Sequence, residues 1–274
     1  MISLKTNSKG EYVPAVGRRT RASTIYTPNQ ADVFSVSRSK VADFRKCRRC
    51  FYLDRVRGLQ RPSTPGWSLN ATTDLLLKKE FDKCREKQIP HRIMEVHGLT
   101  HVVPFKHEEM DKWRDSLRHG LSVRFKSTNI ILKGGVDDIW WDTKACKLVV
   151  VDYKSQASST RVTVENYLLP PYRKSYAEQM DFYAYLLQEM GFEVSETAYF
   201  YVCNANRDAE AFGGNLNFHE SLVPYAWNDT WVEPTIGEMI QVMNSTEVPG
   251  GNPSCENCAY GRQQLELLDR HGTS

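Results

Sequence analysis

Lys147-Leu148-Val149-Val150-Val151-Asp152-Tyr153-Lys154 reads as an apolar strand ending on an aspartate and a lysine two residues apart. Side chains alternate faces along a strand, so Asp152 and Lys154 point to one side. Shortly upstream stands Gly134-Gly135-Val136-Asp137-Asp138, a further aspartate behind two glycines that let another group approach the backbone closely. A carboxylate beside an ammonium, with a second carboxylate near in sequence, can hold a divalent cation and polarise a water next to it. Phosphodiester hydrolysis is the chemistry to which this pattern points.

Working outward, strand signals cover residues 121–126, 129–133, 136–141 and 147–154, with a hairpin turn at 142–145. A helix is expected over 175–190, stopped by Gly191, then strands over 197–203 and 216–223 and a helix over 230–243. Upstream, Ser37 or Ser39 caps a helix running to about 56, Gly58 and Pro62 end it, and a second helix spans 68–87. A short helix over 108–119 closes on Gly120. Helices, a strand cluster, then helix and strand describe an α/β domain with one central sheet. Residues 1–35 form a basic, irregular arm, 36–262 the folded domain and 263–274 a tail.

A third acid belongs on the helix over 68–87. Placed at 100° per residue, Leu69, Leu76, Leu77, Phe81 and Cys84 form a stripe that contains Glu80, with Asp74 at its edge. A glutamate on a core-facing stripe is costly unless paired or bound to a cation. Glu80 is therefore the first choice and Asp74 the second. On the helix over 175–190, Gln179 and Tyr183 share a face, with Tyr176 one turn earlier.

The chain has 274 residues, 41% hydrophobic and 25% charged, a composition ordinary for a globular protein. No apolar run approaches a membrane span and no apolar leader opens the sequence, so a cytoplasmic, reducing setting is expected. The net charge of +3 is unevenly spread: residues 1–61 balance at +10 and the rest at −7. Arg38, Arg45, Arg48 and Arg49 lie in the densest basic stretch, which suits a phosphate backbone. Of seven cysteines, Cys84, Cys146 and Cys203 are isolated and read as packed thiols. The others form Cys47-x-x-Cys50 and Cys255-x-x-Cys258, a ligand set whose spacing fits either zinc or an iron–sulfur cluster.

Glu80, Gly134-x-x-Asp137, Asp152-x-Lys154 and Gln179-x-x-x-Tyr183, in this order, resemble the motifs of the PD-(D/E)XK nuclease superfamily. Asp152-Tyr153-Lys154 and the Gln–Tyr pair resemble its RecB-like branch most, as does Cys47-Arg48-Arg49-Cys50-Phe51-Tyr52-Leu53. The likeness spans roughly residues 35–262. It departs at the first motif, where Asn70-Ala71-Thr72-Thr73-Asp74 stands in place of a histidine pattern. The resemblance implies a restriction-endonuclease-like core, a central mixed sheet flanked by helices. It implies a nuclease using Mg²⁺ or Mn²⁺ on Glu80 (or Asp74), Asp137 and Asp152, with Lys154 catalytic and Gln179, Tyr183 and Tyr176 placing the strand. Its substrate would be single- or double-stranded DNA ends, in recombination, repair or phage DNA metabolism. For the cysteines it favours a [4Fe–4S] cluster over Zn²⁺, although this chain divides them two and two rather than one and three. The rival readings are a non-catalytic nucleic-acid-binding or assembly module on the same fold, and a zinc-stabilised structural protein.

Overall fold

A computed structural model describes residues 2–64 and 66–271. In chain order the elements are β1 (Phe34–Ser37), α1 (Arg38–Lys46), α2 (Arg48–Arg55), α3 (Ser68–Lys87), α4 (Arg92–Val96), β2 (Val102–Pro104), α5 (Met110–Arg114), β3 (Leu121–Arg124) and β4 (Ile130–Gly134). They continue with β5 (Asp138–Asp142), β6 (Lys147–Gln156), α6 (Val164–Tyr167), α7 (Lys174–Glu189), β7 (Thr197–Ala205), β8 (Phe218–Ala226), α8 (Val232–Asn244) and α9 (Glu256–His271). The chain divides into two compact units. One takes residues up to Gly66, Lys126–Ile131 and those from Glu233 on; the other takes Trp67–Phe125 and Leu132–Val232.

The second unit is built on a five-stranded mixed sheet in the order β2-β5-β6-β7-β8. β5 and β6 pair antiparallel, joined by a tight turn in which Asp142 Oδ1 accepts the amides of Lys144 and Ala145 at 2.9 Å. β6 and β7 pair parallel, which requires a crossover; α6 and α7 supply it. Alternation along β6 sorts its side chains. Val149, Val151 and Tyr153 enter an apolar cluster with Leu77 and Phe81 of α3, Trp140 of β5 and Tyr201 of β7. Asp152 turns the other way and meets Gln179 of α7. The sheet is thus covered by helices on both faces, and α7, packed against β6 and β3, buries every residue from Met180 to Leu187. Asp181, within that run, is satisfied by Tyr225, the amide of Asn228 and the indole of Trp231. β3 and β4 lie outside this sheet.

In the first unit, α1 and α2 bury Val41, Phe44, Phe51 and Tyr52. The expected single helix over this stretch is broken at Cys47, whose extended backbone (φ −159°) separates two shorter helices. The N-terminal segment lies largely on the surface and is anchored by Arg19 Nε on Asp54 (3.0 Å) and Tyr26 Oη on Asn244 (2.8 Å). The expected tail is helical from Glu256 to His271; residues 272–274 lie outside the described part. The helix expected over 108–119 contracts to α5. Among the described residues no helix is long and apolar enough to cross a membrane.

A buried ion pair joins α3 to the sheet. Asp138 has no exposed surface, accepts Tyr153 Oη at 2.7 Å and pairs with Arg85, which also donates to the Phe105 carbonyl at 2.8 Å. Arg85→Ala would leave Asp138 without its cation. It is expected to cost about 3 kcal/mol of stability in denaturant unfolding, because an uncompensated buried charge costs far more than a lost surface pair.

Candidate active site

The site grows from the end of β6. Asp152 is fully buried, and its two oxygens are divided between partners: Gln179 Nε2 donates to Oδ1 at 2.8 Å, and Lys154 Nζ contacts Oδ2. Gln179 Nε2 also lies 3.0 Å from Tyr183 Oη, one helical turn on. Tyr183 approaches because residue 134 is glycine: a Cβ there would stand 2.7 Å from the Tyr183 ring. At Gly135 a Cβ would fall 2.4 Å from Ser116, so the neighbouring glycine also answers a steric need. Asp137 Oδ2 accepts the Tyr153 amide at 2.9 Å, which ties the second acid to the β6 backbone. Of the adjacent aspartates, Asp138 is occupied by Arg85 and Tyr153, while Asp137 faces an open cleft of about 610 Å³.

That cleft is lined by Asp74, Asp137 and Lys154, with Trp67, Asn70 and Tyr176 among its walls. The third acid beside it is therefore Asp74. Glu80, the first choice on the helical wheel, points elsewhere: its side chain is 47% exposed, 3.1 Å from His91 Nε2 and 3.6 Å from Arg92. The stripe expected on α3 differs from the buried one: Leu69 and Leu76 are 58% and 53% exposed, and the buried residues are Leu77, Phe81 and Arg85. Trp67, which no sequence motif singles out, is 81% exposed at the start of α3. A large aromatic left open on a cleft wall is informative where scattered surface apolars are not. Tyr176 places its ring 4.7 Å from Lys154 Nζ.

Electrostatics follow from burial and crowding. Burial pushes the Asp152 carboxyl up; Lys154 opposes and Asp137 adds, leaving it at about 7. Burial and then Asp137 raise Asp74, against the pull of Lys78. Burial would lower Lys154, yet Asp152 and Asp137 outweigh it and hold the ammonium charged above its ordinary value. Asp74 Oδ2 bonds Lys78 at 2.9 Å, while its buried Oδ1 has no hydrogen-bond partner among the described residues. Oxygen donors, mutual repulsion among carboxylates and one unsatisfied buried oxygen fit a hard divalent cation. The three carboxylates do not converge within 4.8 Å of one another. A hard divalent cation that keeps several of its waters needs only one or two carboxylates.

In the first unit, the Sγ atoms of Cys47, Cys50, Cys255 and Cys258 all lie within 4.8 Å of one another and form no disulfide. Cys203 is buried in the apolar cluster and Cys84 half-buried, whereas Cys146 is exposed in the β5–β6 turn rather than packed. The basic residues of this unit are partly committed. Arg48 pairs with Glu238 and lies 5.5 Å from the Phe44 ring centroid, and Arg45 bonds Thr235 at 3.3 Å. Arg38 is half-buried and Arg49 exposed.

The sequence profile of the PD-(D/E)XK nuclease superfamily matches residues 35–263, and the chain belongs to that superfamily. No curated protein gives a significant match. Among solved structures, the chain is similar to a protein of Eubacterium rectale described as a candidate exonuclease. The TM-score is 0.41 at 14% identity, covering 82% of this chain and 87% of that one. At this TM-score the family match, and not this likeness, identifies the fold.

The raised Asp152 carboxyl gives a pH signature. The folded protein holds a proton there that the unfolded chain releases near pH 4. This contribution to stability is therefore complete at low pH and lost as pH rises through about 7. A cation bound at the cleft would favour the ionised form, so any gain in Tm on adding Mg²⁺ or Mn²⁺ is expected to be larger at pH 8 than at pH 6. In Asp152→Asn that pH dependence should flatten. Differential scanning calorimetry with and without metal checks both outcomes.

Proposed function

We propose that this member of the PD-(D/E)XK nuclease superfamily is a metal-dependent deoxyribonuclease of the RecB-like branch. In this reading it is an exonuclease or end-processing enzyme of recombination, repair or phage DNA metabolism, working in the cytoplasm. The observation that carries the reading is the open cleft where Asp74 and Asp137 face Lys154, itself bonded to buried Asp152. Asp152-Tyr153-Lys154 and Gln179-x-x-x-Tyr183 support the branch.

Asp74, Asp137 and Asp152 would hold Mg²⁺ or Mn²⁺, which when bound supplies a water of lowered pKa and positive charge against the scissile phosphate. Lys154 stays protonated between its carboxylates, so its role is electrostatic and not that of a base. It sets a fixed positive charge where negative charge develops on the pentacovalent phosphorus, and its N–H groups orient the attacking water. Gln179 fixes the Asp152 carboxylate from behind, and Tyr183 fixes Gln179 in turn. The Tyr153 amide does the same for Asp137. Trp67 and Tyr176 offer ring faces on the cleft walls to unpaired bases, since stacking on aromatics accepts any base. This favours single strands or frayed ends. Arg38 and Arg49, with Arg45 and Arg48, add a basic surface for the phosphate backbone.

End-labelled single- and double-stranded DNA, with RNA alongside, tests the reading. The wild type is expected to degrade DNA ends only with Mg²⁺ or Mn²⁺. Asp152→Ala and Lys154→Ala should each lose about a hundredfold or more in rate with circular dichroism unchanged. Trp67→Ala should raise KM for single strands with kcat little changed, and Trp67→Phe should restore it. Undiminished cleavage by both the Asp152 and Lys154 variants would overturn the assignment. A wild type inert on every end would point instead to a binding module.

A further inference from the structure

The four cysteines are arranged as two copies of one local pattern. Cys47 immediately precedes α2 and Cys50 lies in its first turn; Cys255 precedes α9 and Cys258 lies in its first turn. In each pair the first cysteine's carbonyl accepts an amide four residues on, Phe51 at 3.1 Å and Ala259 at 3.0 Å. The two helix starts thus present their thiols to a common centre. The Sγ separations are 3.7 Å for Cys47–Cys258, 3.5 Å for Cys50–Cys255 and 3.5 Å for Cys50–Cys258.

These distances discriminate between the two metals that the spacing allows. A tetrahedral zinc with bonds of about 2.3 Å separates its thiolates by about 3.8 Å. A four-iron cluster gives each thiolate a different iron and places those irons and sulfides between them, so the cysteine sulfurs must stand much further apart. The sulfurs of this chain all lie within 4.8 Å of one another. The surroundings are drawn in to match. The amide of Asn252 donates to Cys47 Sγ at 3.4 Å, and a Cβ at Gly251 would come within 3.1 Å of Cys258 Sγ. The Asn252 amide favours the Cys47 thiolate, while burial acts the other way at Cys50 and Cys258.

We infer that Cys47, Cys50, Cys255 and Cys258 bind one tetrahedral divalent ion of the zinc class, and not the [4Fe–4S] cluster that the family resemblance implies. The site is closed, with four protein ligands and no open position, so its role is structural. It ties α2 to α9 across 205 to 211 residues of sequence, where a cross-link constrains the unfolded chain strongly. This inference stands on the sulfur geometry alone and is independent of the nuclease reading.

The test is elemental analysis of the full chain, produced anaerobically with iron and zinc both supplied. The expected result is one zinc per chain, no acid-labile sulfide and no broad iron–sulfur absorption in the visible. Replacing the zinc with Co²⁺ should give the intense visible bands of tetrahedral cobalt thiolate, and Cys255→Ser or Cys258→Ser should lose the ion. Stripping the zinc with a chelator should lower the Tm of the wild type. Four irons with labile sulfide in the anaerobic wild type, or no stoichiometric metal at all, would overturn the inference.

Discussion

A carboxylate with no exposed surface governs the second unit. Asp152 follows the buried apolar run Leu148-Val149-Val150-Val151 of β6, where an isolated charge would be too costly to keep. Its surroundings can be understood as the means of keeping it: Gln179 on one oxygen and Lys154 on the other. Those demands spread outward. Gln179 must come from a helix packed on the same face as Asp152, which fixes α7 as the crossover between β6 and β7. Tyr183, one turn on, reaches its place only because residue 134 lacks a side chain. The opposite face of β6 is left apolar and takes α3, the helix that carries Asp74. Satisfying one buried charge and building the proposed catalytic cleft are the same act of folding.

The parts of this arrangement governed by local rules are readable from the chain. Period-two alternation puts Asp152 and Lys154 together, and helical spacing puts Gln179 beside Tyr183. The limits of α3 are as expected, with Pro65 and Gly66 just before its start. What was not readable depended on tertiary choices. The rotation of α3 is not legible, because Leu69 and Leu76 are exposed; Asp74, and not Glu80, lines the cleft. The break at Cys47 has no breaker residue; an extended backbone there lets Cys47 face three cysteines, two of them over 200 residues away. Helix α9 lies where the sequence suggests only a tail, and its leucines, 265, 267 and 268, are exposed.

Two kinds of ligand chemistry coexist in the chain. Carboxylate oxygens around an open cleft suit hard cations that keep exchangeable waters, while four clustered thiolates suit a softer ion held permanently. In the proposed account the first serves reaction and the second serves folding. The basic stretch is likewise mixed in purpose. Arg55 is buried against the Thr24 carbonyl and Arg48 pairs with Glu238, so a run that looks like one phosphate-binding face is partly internal structure.

The central claim, that Asp74 and Asp152 hold the cation and Glu80 does not, is tested most directly by Mn²⁺ binding followed by electron paramagnetic resonance. The account predicts that Asp74→Asn and Asp152→Asn weaken Mn²⁺ binding at the cleft by tenfold or more, while Glu80→Gln binds as the wild type does. Loss of binding in Glu80→Gln with Asp74→Asn unaffected would contradict it.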